Sequence, residues 1–366
     1  MKAMLVLEDG SVFEGFGFGV KKKVVGEVVF NTGMVGYVEA LTDPSYTAQI
    51  LVSTYPLIGN YGVPLNKRDC FGLLESFESD HIMVEGFVVS EICKNPSHHE
   101  SGMSLNEWFV QHGKCGIDGI DTREIVKKIR EYGTMKGILE VGHPKKEELL
   151  SEITLVEDPN KKNLVAAVSK EVPVVYGNGK KKIVLIDCGL KANILREILK
   201  QDTTVLRVPY NTTAEQILEQ NPDAVVVSNG PGDPKMLKGT ISMLKTLIAN
   251  RVPLFGICLG CQLLALALGA DTYKLKYGHR SQNQPCVEVN TKKCYITSQN
   301  HGFAIKRESL PKSVIAWFEN ANDKTVEGIC HKDKPIAAVQ FHPEATPGPN
   351  DTSWLFDDFL KGLNND

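Results

Sequence analysis

The sequence predicts an α/β protein: an open, mostly parallel sheet in the C-terminal half, preceded by a β-rich α/β N-terminal region. Three observations predict it. Beyond residue 180, short apolar runs alternate with helical stretches, the pattern of parallel strands joined by crossover helices. Before it, short strand-like runs are bounded by glycine-rich turns. Between them, Tyr176-Gly177-Asn178-Gly179-Lys180-Lys181-Lys182 joins turn residues to a charge run. That composition marks a boundary and divides the chain into 1–180 and 181–366.

The N-terminal elements follow in order. Met4 to Leu7 is apolar and stops at the turn Glu8-Asp9-Gly10. Val12 to Gly19 alternates glycine with aromatics, which suits sharp sheet bends. Val24 to Phe30 and Gln49 to Thr54 are further strands, and the stretch 31–46 between them is polar, aromatic and turn-rich. Thr122 to Tyr132 has a helical apolar stripe, with Asp121 as cap and Gly133 as stop.

In the C-terminal half the alternation is regular. Ile183 to Ile186, Thr204 to Val208 and Ala224 to Val227 read as strands. Lys191 to Lys200, the stretch capped by Thr213, and Thr240 to Asn250 read as helices. The run Val252-Pro253-Leu254-Phe255 leads into Gly256-Ile257-Cys258-Leu259-Gly260-Cys261-Gln262, and Leu263 to Leu268 leads out to Gly269. Cys294 to Ser298, Ser313 to Phe318 and Ile336 to Phe341 are later strands, and Trp354 to Leu363 a closing helix.

Composition bounds the function. The chain has 366 residues, enough for two domains, and 41 basic against 44 acidic residues give a net charge of −3. That balance gives no ground for nucleic acid or an anionic membrane as partner. No apolar run is long enough to span a bilayer, and acidic residues come too early for a signal-peptide core. Nine cysteines without a regular framework suit free thiols in the cytoplasm.

The chemistry centres on Cys258. It sits where a strand turns into a helix, with a glycine two residues away on each side. This is the cysteine counterpart of the G-x-S-x-G nucleophile elbow. The helix start favours thiolate, and the Leu259 backbone N–H is placed to face a developing oxyanion. A cysteine nucleophile needs a base and a group that orients it. Among nine histidines, His342 stands out, because it follows the strand Ile336 to Phe341 and precedes Pro343-Glu344. In an extended segment residues i and i+2 point the same way, so Glu344 would orient His342.

Each piece has a bland reading. His-Pro-Glu after a strand is more often structural, glycine-proline-glycine is usually only a turn, and a cysteine in an apolar strand–helix unit is more often inert. Their conjunction at strand ends of one α/β region, where such sheets place their sites, argues for Cys258, His342 and Glu344 as a set. Cys258 and Cys261 also form a C-x-x-C, which fits a redox pair or half a zinc site. No second C-x-x-C or H-x-x-x-H is present, and the redox reading explains neither the flanking glycines nor His342-Pro343-Glu344.

These residues resemble the class I, triad-type glutamine amidotransferases. Ser228-Asn-Gly-Pro-Gly-Asp-Pro234, Gln299-Asn-His-Gly-Phe303 and His342-Pro-Glu-Ala-Thr-Pro-Gly348 are similar to the small, glutaminase subunit family of carbamoyl phosphate synthetase. So are Phe30-Asn-Thr-Gly-Met-Val-Gly-Tyr37 and Leu41-Thr-Asp-Pro-Ser-Tyr46 in the first half. The resemblance implies glutamine hydrolysis through a thioester on Cys258, with His342 as base and Glu344 orienting it. It carries the glutamine contacts over to Ser45, Gly230, Gly232, Leu259, Gln262, Asn300, Gly302 and Phe303, so that the N-terminal domain would complete the pocket. It also implies a large synthetase subunit that receives the ammonia and holds ATP and a divalent metal, with no cofactor or metal in this chain, and a higher-order heterodimer assembly. The product would feed arginine and pyrimidine synthesis. An amidotransferase serving another acceptor is the alternative. The chain has no G-x-x-x-x-G-K-[ST] phosphate loop. One departure from the family is Cys261, which stands where histidine is usual, and helical i,i+3 spacing raises a disulfide with Cys258 under oxidation.

Overall fold

A computed structural model describes residues 1–363, so the last three positions of the 181–366 span lie outside the described residues. Two compact units divide the chain, Met1–Lys161 and Lys162 onward. The sequence places the boundary at 180/181. The segment 162–180 belongs with the second unit because Val174–Gly177 pairs antiparallel with Thr203–Pro209, at the edge of that unit's sheet.

The first unit is built on a closed seven-stranded barrel. Around it from Lys2–Leu7 come Met135–Gly142, Lys22–Asn31, Gln49–Ser53, Gly86–Val88, Cys115–Asp118 and Val12–Gly19, which returns to the first strand. Leu5, Val6 and Leu7 are wholly buried, while Glu14 and Phe16 of the next strand face out. The alternation of glycine and aromatics in Val12–Gly19 has a packing cause. A Cβ at residue 15 would lie 2.3 Å from the Asp118 carbonyl oxygen of a neighbouring strand. The helix Thr122–Tyr132 starts and stops where the sequence places it: Asp121 accepts the Glu124 amide, and Gly133 takes a positive φ of 99°. The turn-rich stretch 31–46 forms the short helix Tyr37–Thr42 and the 3₁₀ turn Pro44–Tyr46.

The second unit holds a ten-stranded sheet. Its order is Val174–Gly177, Thr203–Pro209, Lys181–Asp187, Ala224–Val227, Leu254–Ile257, Ile336–Val339, Val326–His331, Cys294–Ile305, Thr272–Glu288 and Val314–Asn320. Five strands, from Thr203–Pro209 to Ile336–Val339, run parallel, and the others pair antiparallel on either side. The parallel strands are short apolar runs because helices cover both faces of such a sheet. Ile183, Val184, Val225, Val227, Leu254 and Ala338 are all fully buried. The helix Leu259–Leu268 is apolar nearly all round and lies in this core, and it stops at Gly269 in the left-handed conformation. Three strands of this unit escape sequence reading: Val174–Gly177, which runs into the turn residues of the boundary, Thr272–Glu288, whose buried residues include His279, Arg280 and Ser281, and Val326–His331, which buries Glu327 among its apolar residues.

Candidate active site

Cys258 stands between the strand Leu254–Ile257 and the helix Leu259–Leu268, at φ 54° and ψ −104°. A non-glycine residue holds this conformation only where its surroundings impose it. Two restraints are visible. The Cys258 amide donates to the Val339 carbonyl at 2.8 Å, and its own carbonyl accepts the Gln262 amide at 3.2 Å. Close packing explains the glycine that follows. A Cβ at residue 260 would lie 2.2 Å from the Val227 carbonyl oxygen, so only glycine lets the helix begin against the neighbouring strand. The loop after that strand is held as tightly, since a Cβ at residue 230 would lie 1.9 Å from the Cys188 carbonyl oxygen. Gly230 also packs beside Leu259.

His342 and Glu344 meet as the sequence predicts, but on a turn and not along an extended strand. The Ala345 amide donates to the His342 carbonyl at 3.1 Å, closing a tight turn. Within it His342 Nδ1 lies 2.6 Å from Glu344 Oε1. The adjoining strand fixes the turn, because the His342 amide donates to the Ser298 carbonyl and Ser298 Oγ donates to the Pro347 carbonyl. Both side chains are almost fully buried. Burial opposes charge on the imidazole, yet the Glu344 carboxylate and the neighbouring Cys258 outweigh it and hold His342 above the usual histidine range. Burial also opposes the Glu344 charge, and Lys191 and His342 outweigh it, so the carboxyl sits well below its ordinary range. His342 Nε2, the nitrogen not used by Glu344, has no hydrogen-bond partner among the described residues.

Lys191 is a site residue that the sequence reading passed over. Its ammonium donates to Glu344 Oε1 at 2.9 Å and to the Ala345 carbonyl at 2.6 Å. Its backbone amide donates to Asn229 Oδ1 at 3.0 Å, which ties the glycine loop to the same corner. The turn before it is shaped by Asp187, which accepts the Gly189 and Leu190 amides and a two-pronged contact from Arg207. A signal was present: Lys191 closely follows the carboxyl end of a parallel strand, the position that singled out Cys258 and His342.

Among the other predicted contacts in this unit, Asn300 lies beside the sulfur. Gln262, one helical turn beyond Cys258, donates to the Phe303 carbonyl at 2.8 Å and to Gln340 Oε1 at 3.0 Å. Cys258 Sγ lies 3.7 Å from the Asn300 carbonyl. Gly302 sits between these two residues on the strand Cys294–Ile305. Gly232 takes a φ of 87° in its loop. Ser45 belongs to the first unit, where it is buried in the turn Pro44–Tyr46 and its amide donates to Asp43 Oδ1. Cys261 is fully buried, and burial, with Cys258 and Glu327 adding to it, pushes its thiol well up. Both Cys258 and Cys261 are free thiols in this structure.

The group closest to a metal-ligand set among the described residues is His279, His301 and Glu327, whose candidate atoms lie within 4.8 Å of one another. Their contacts account for them as an ionic network. His279 Nε2 lies 2.8 Å from Asp323 and Nδ1 3.2 Å from Glu327. His301 Nδ1 lies 2.8 Å from the Phe303 carbonyl, and burial keeps this imidazole well below the usual range. No helix among the described residues is long and apolar enough to cross a membrane.

Comparison with known proteins gives the family. The family described as "Glutamine amidotransferase class-I" matches residues 184–362, and "Carbamoyl-phosphate synthase small chain, CPSase domain" matches residues 5–139. The chain is similar to the carbamoyl phosphate synthase small chain of Methanocaldococcus jannaschii, 50% identical over 367 residues and covering 99% of each chain. It is similar to the Archaeoglobus fulgidus small chain at 50% identity over 366 residues, again covering 99% of each. It is also 49% identical over 363 residues to the multifunctional protein CAD of Squalus acanthias, covering 98% of this chain and 16% of that protein. A strained cysteine elbow beside a buried histidine–carboxylate pair thus occurs in a chain that belongs to the carbamoyl phosphate synthase small-chain family and carries a class I glutamine amidotransferase domain.

Proposed function

We propose that this chain hydrolyses L-glutamine and delivers the ammonia to a large synthetase subunit, which holds ATP and a divalent metal and builds carbamoyl phosphate from bicarbonate. The observation that carries the reading is the strained Cys258 elbow neighbouring His342, whose Nε2 is buried without a hydrogen-bond partner among the described residues. Cys258 sulfur attacks the side-chain amide carbon, and an S–C bond forms. The C–N bond breaks, and His342 gives its proton to the leaving ammonia. His342 then takes a proton from water, which attacks the thioester, and the S–C bond breaks to leave glutamate. Glu344 keeps His342 in one orientation, and Lys191 keeps Glu344 ionised. Backbone N–H groups of Leu259 and of the loop at Gly230 and Gly232 face the oxyanion.

In this reading Gln262, Asn300, Gly302 and Phe303 hold glutamine, and the family resemblance adds Ser45. The setting is cytoplasmic, in arginine and pyrimidine synthesis, and the working form is a heterodimer or a higher assembly of heterodimers. The test uses the chain purified with its large subunit. Cys258→Ala abolishes glutamine-dependent carbamoyl phosphate synthesis and leaves ammonia-dependent synthesis intact. A variant that still used glutamine would refute the assignment.

A further inference from the structure

Gln340 is a buried polar residue that closes an otherwise apolar strand, Ile336-Ala337-Ala338-Val339, and has no accessible surface. A buried amide in such a place must be hydrogen-bonded, and its partners show what it does. Its Nε2 lies 3.7 Å from Cys258 Sγ, and its Oε1 lies 3.0 Å from Gln262 Nε2.

The direction of this chain of amides is fixed from one end. The Phe303 carbonyl can only accept, so the Gln262 atom 2.8 Å from it is the NH₂ group. The second N–H of that group points at Gln340, which must present its oxygen there. The remaining end of Gln340, facing the sulfur, is therefore its NH₂ group. Another polar neighbour of the sulfur is the Asn300 carbonyl, also at 3.7 Å. A carbonyl accepts from a thiol and repels a thiolate. Asn300 and Gln340 thus act in opposite directions, and Gln340 joins the protonated His342 in favouring charge on sulfur.

We propose that Gln340 is a further catalytic residue, whose side-chain N–H donates to Cys258 sulfur whenever that sulfur carries negative charge. This rests on Cys258 being the nucleophile. The charge is present twice in the cycle. Before attack the sulfur holds the electron pair that forms the S–C bond. When water opens the thioester, that bond breaks and the pair returns to sulfur as the leaving thiolate. Gln340 serves both steps, and Gln262 holds it in register while also bonding the carbonyl of a glutamine-contact residue, Phe303. The nucleophile and the substrate strand are thereby set by one pair of amides.

The experiment uses the full chain in complex with its large subunit, and compares wild type with Gln340→Met and Gln340→Glu. Iodoacetamide labelling is followed across pH, with peptide mapping to locate the label. Gln340→Met lowers the rate of Cys258 labelling near neutrality by roughly tenfold. Its glutamine-dependent kcat falls about as much, while KM for glutamine changes little. Gln340→Glu, close in shape but acceptor-only when ionised, lowers the labelling rate further. Ammonia-dependent synthesis stays at the wild-type level in both, which shows that fold and partner are kept. Labelling profiles that coincide with wild type, or a loss confined to KM, would overturn the role of Gln340 alone. Label falling on a residue other than Cys258 would overturn the nucleophile and this proposal together.

Discussion

Lys191 and His342 share one oxygen of Glu344: the ammonium lies 2.9 Å and the imidazole nitrogen 2.6 Å from the same Oε1. Three groups that would each be costly to bury alone are buried as a unit. Replacing Lys191 with Met leaves Glu344 with His342 alone. The carboxyl then rises from its depressed position, and the acid limb of kcat/KM for glutamine moves to higher pH. We expect a loss of about tenfold or more in glutamine-dependent activity, with ammonia-dependent synthesis unaffected. A pH–rate profile of Lys191→Met decides it. An unchanged acid limb would show that Lys191 only packs.

The elbow depends on a missing methyl group. In Gly260→Ala the added carbon meets the Val227 carbonyl oxygen at 2.2 Å, a backbone atom that cannot swing away. The helix start must shift, which costs about 1–3 kcal/mol and moves the Leu259 amide and Cys258 together. The expected result is a lower unfolding midpoint in urea and a larger proportional loss of glutamine hydrolysis. Gly239→Ala is the control, since nothing lies within 4 Å of the position its Cβ would take.

His279 gives the second unit a pH-dependent component of stability. Burial opposes its charge, but the Asp323 and Glu327 carboxylates, which accept from its ring nitrogens, outweigh burial and raise it to about 9. A raised histidine stabilises the fold fully below its unfolded value of about 6.5 and loses that contribution as pH climbs through the folded value. The wild type is therefore expected to melt above His279→Gln at about pH 6, by roughly 3 °C. The gap closes as pH rises through about 9. Parallel melting curves from acid to alkali would refute it.

The parts that sequence reveals are those where one local pattern suffices. Ala224–Val227 is four apolar residues ending at a turn, and its bounds are read correctly. The Asp121 and Gly133 ends of Thr122–Tyr132 are equally local. Barrel closure is different, because Lys2–Leu7 finds its partner in Met135–Gly142, far along the chain, and no short window holds that information. Thr272–Glu288 is hidden for another reason. Its buried His279, Arg280 and Ser281 read as loop residues until their partners are known.

The site divides the same way. Cys258 and His342 are legible from strand ends and flanking residues. Lys191 and Gln340 are less so: Lys191 offers only its place after a strand end, and the roles of both come from what they touch 153 and 82 residues away. A glutamine at the end of an apolar strand was nevertheless a readable anomaly.

The barrel of the first unit closes on itself: Val12–Gly19 pairs with Lys2–Leu7 on one side and Cys115–Asp118 on the other. A sheet without a margin has no row of unpaired amides for another chain to extend. Any protein that engages this barrel must grip it by side-chain shape and charge. Such a surface can be retuned one residue at a time, without disturbing the hydrogen-bonded ring beneath it.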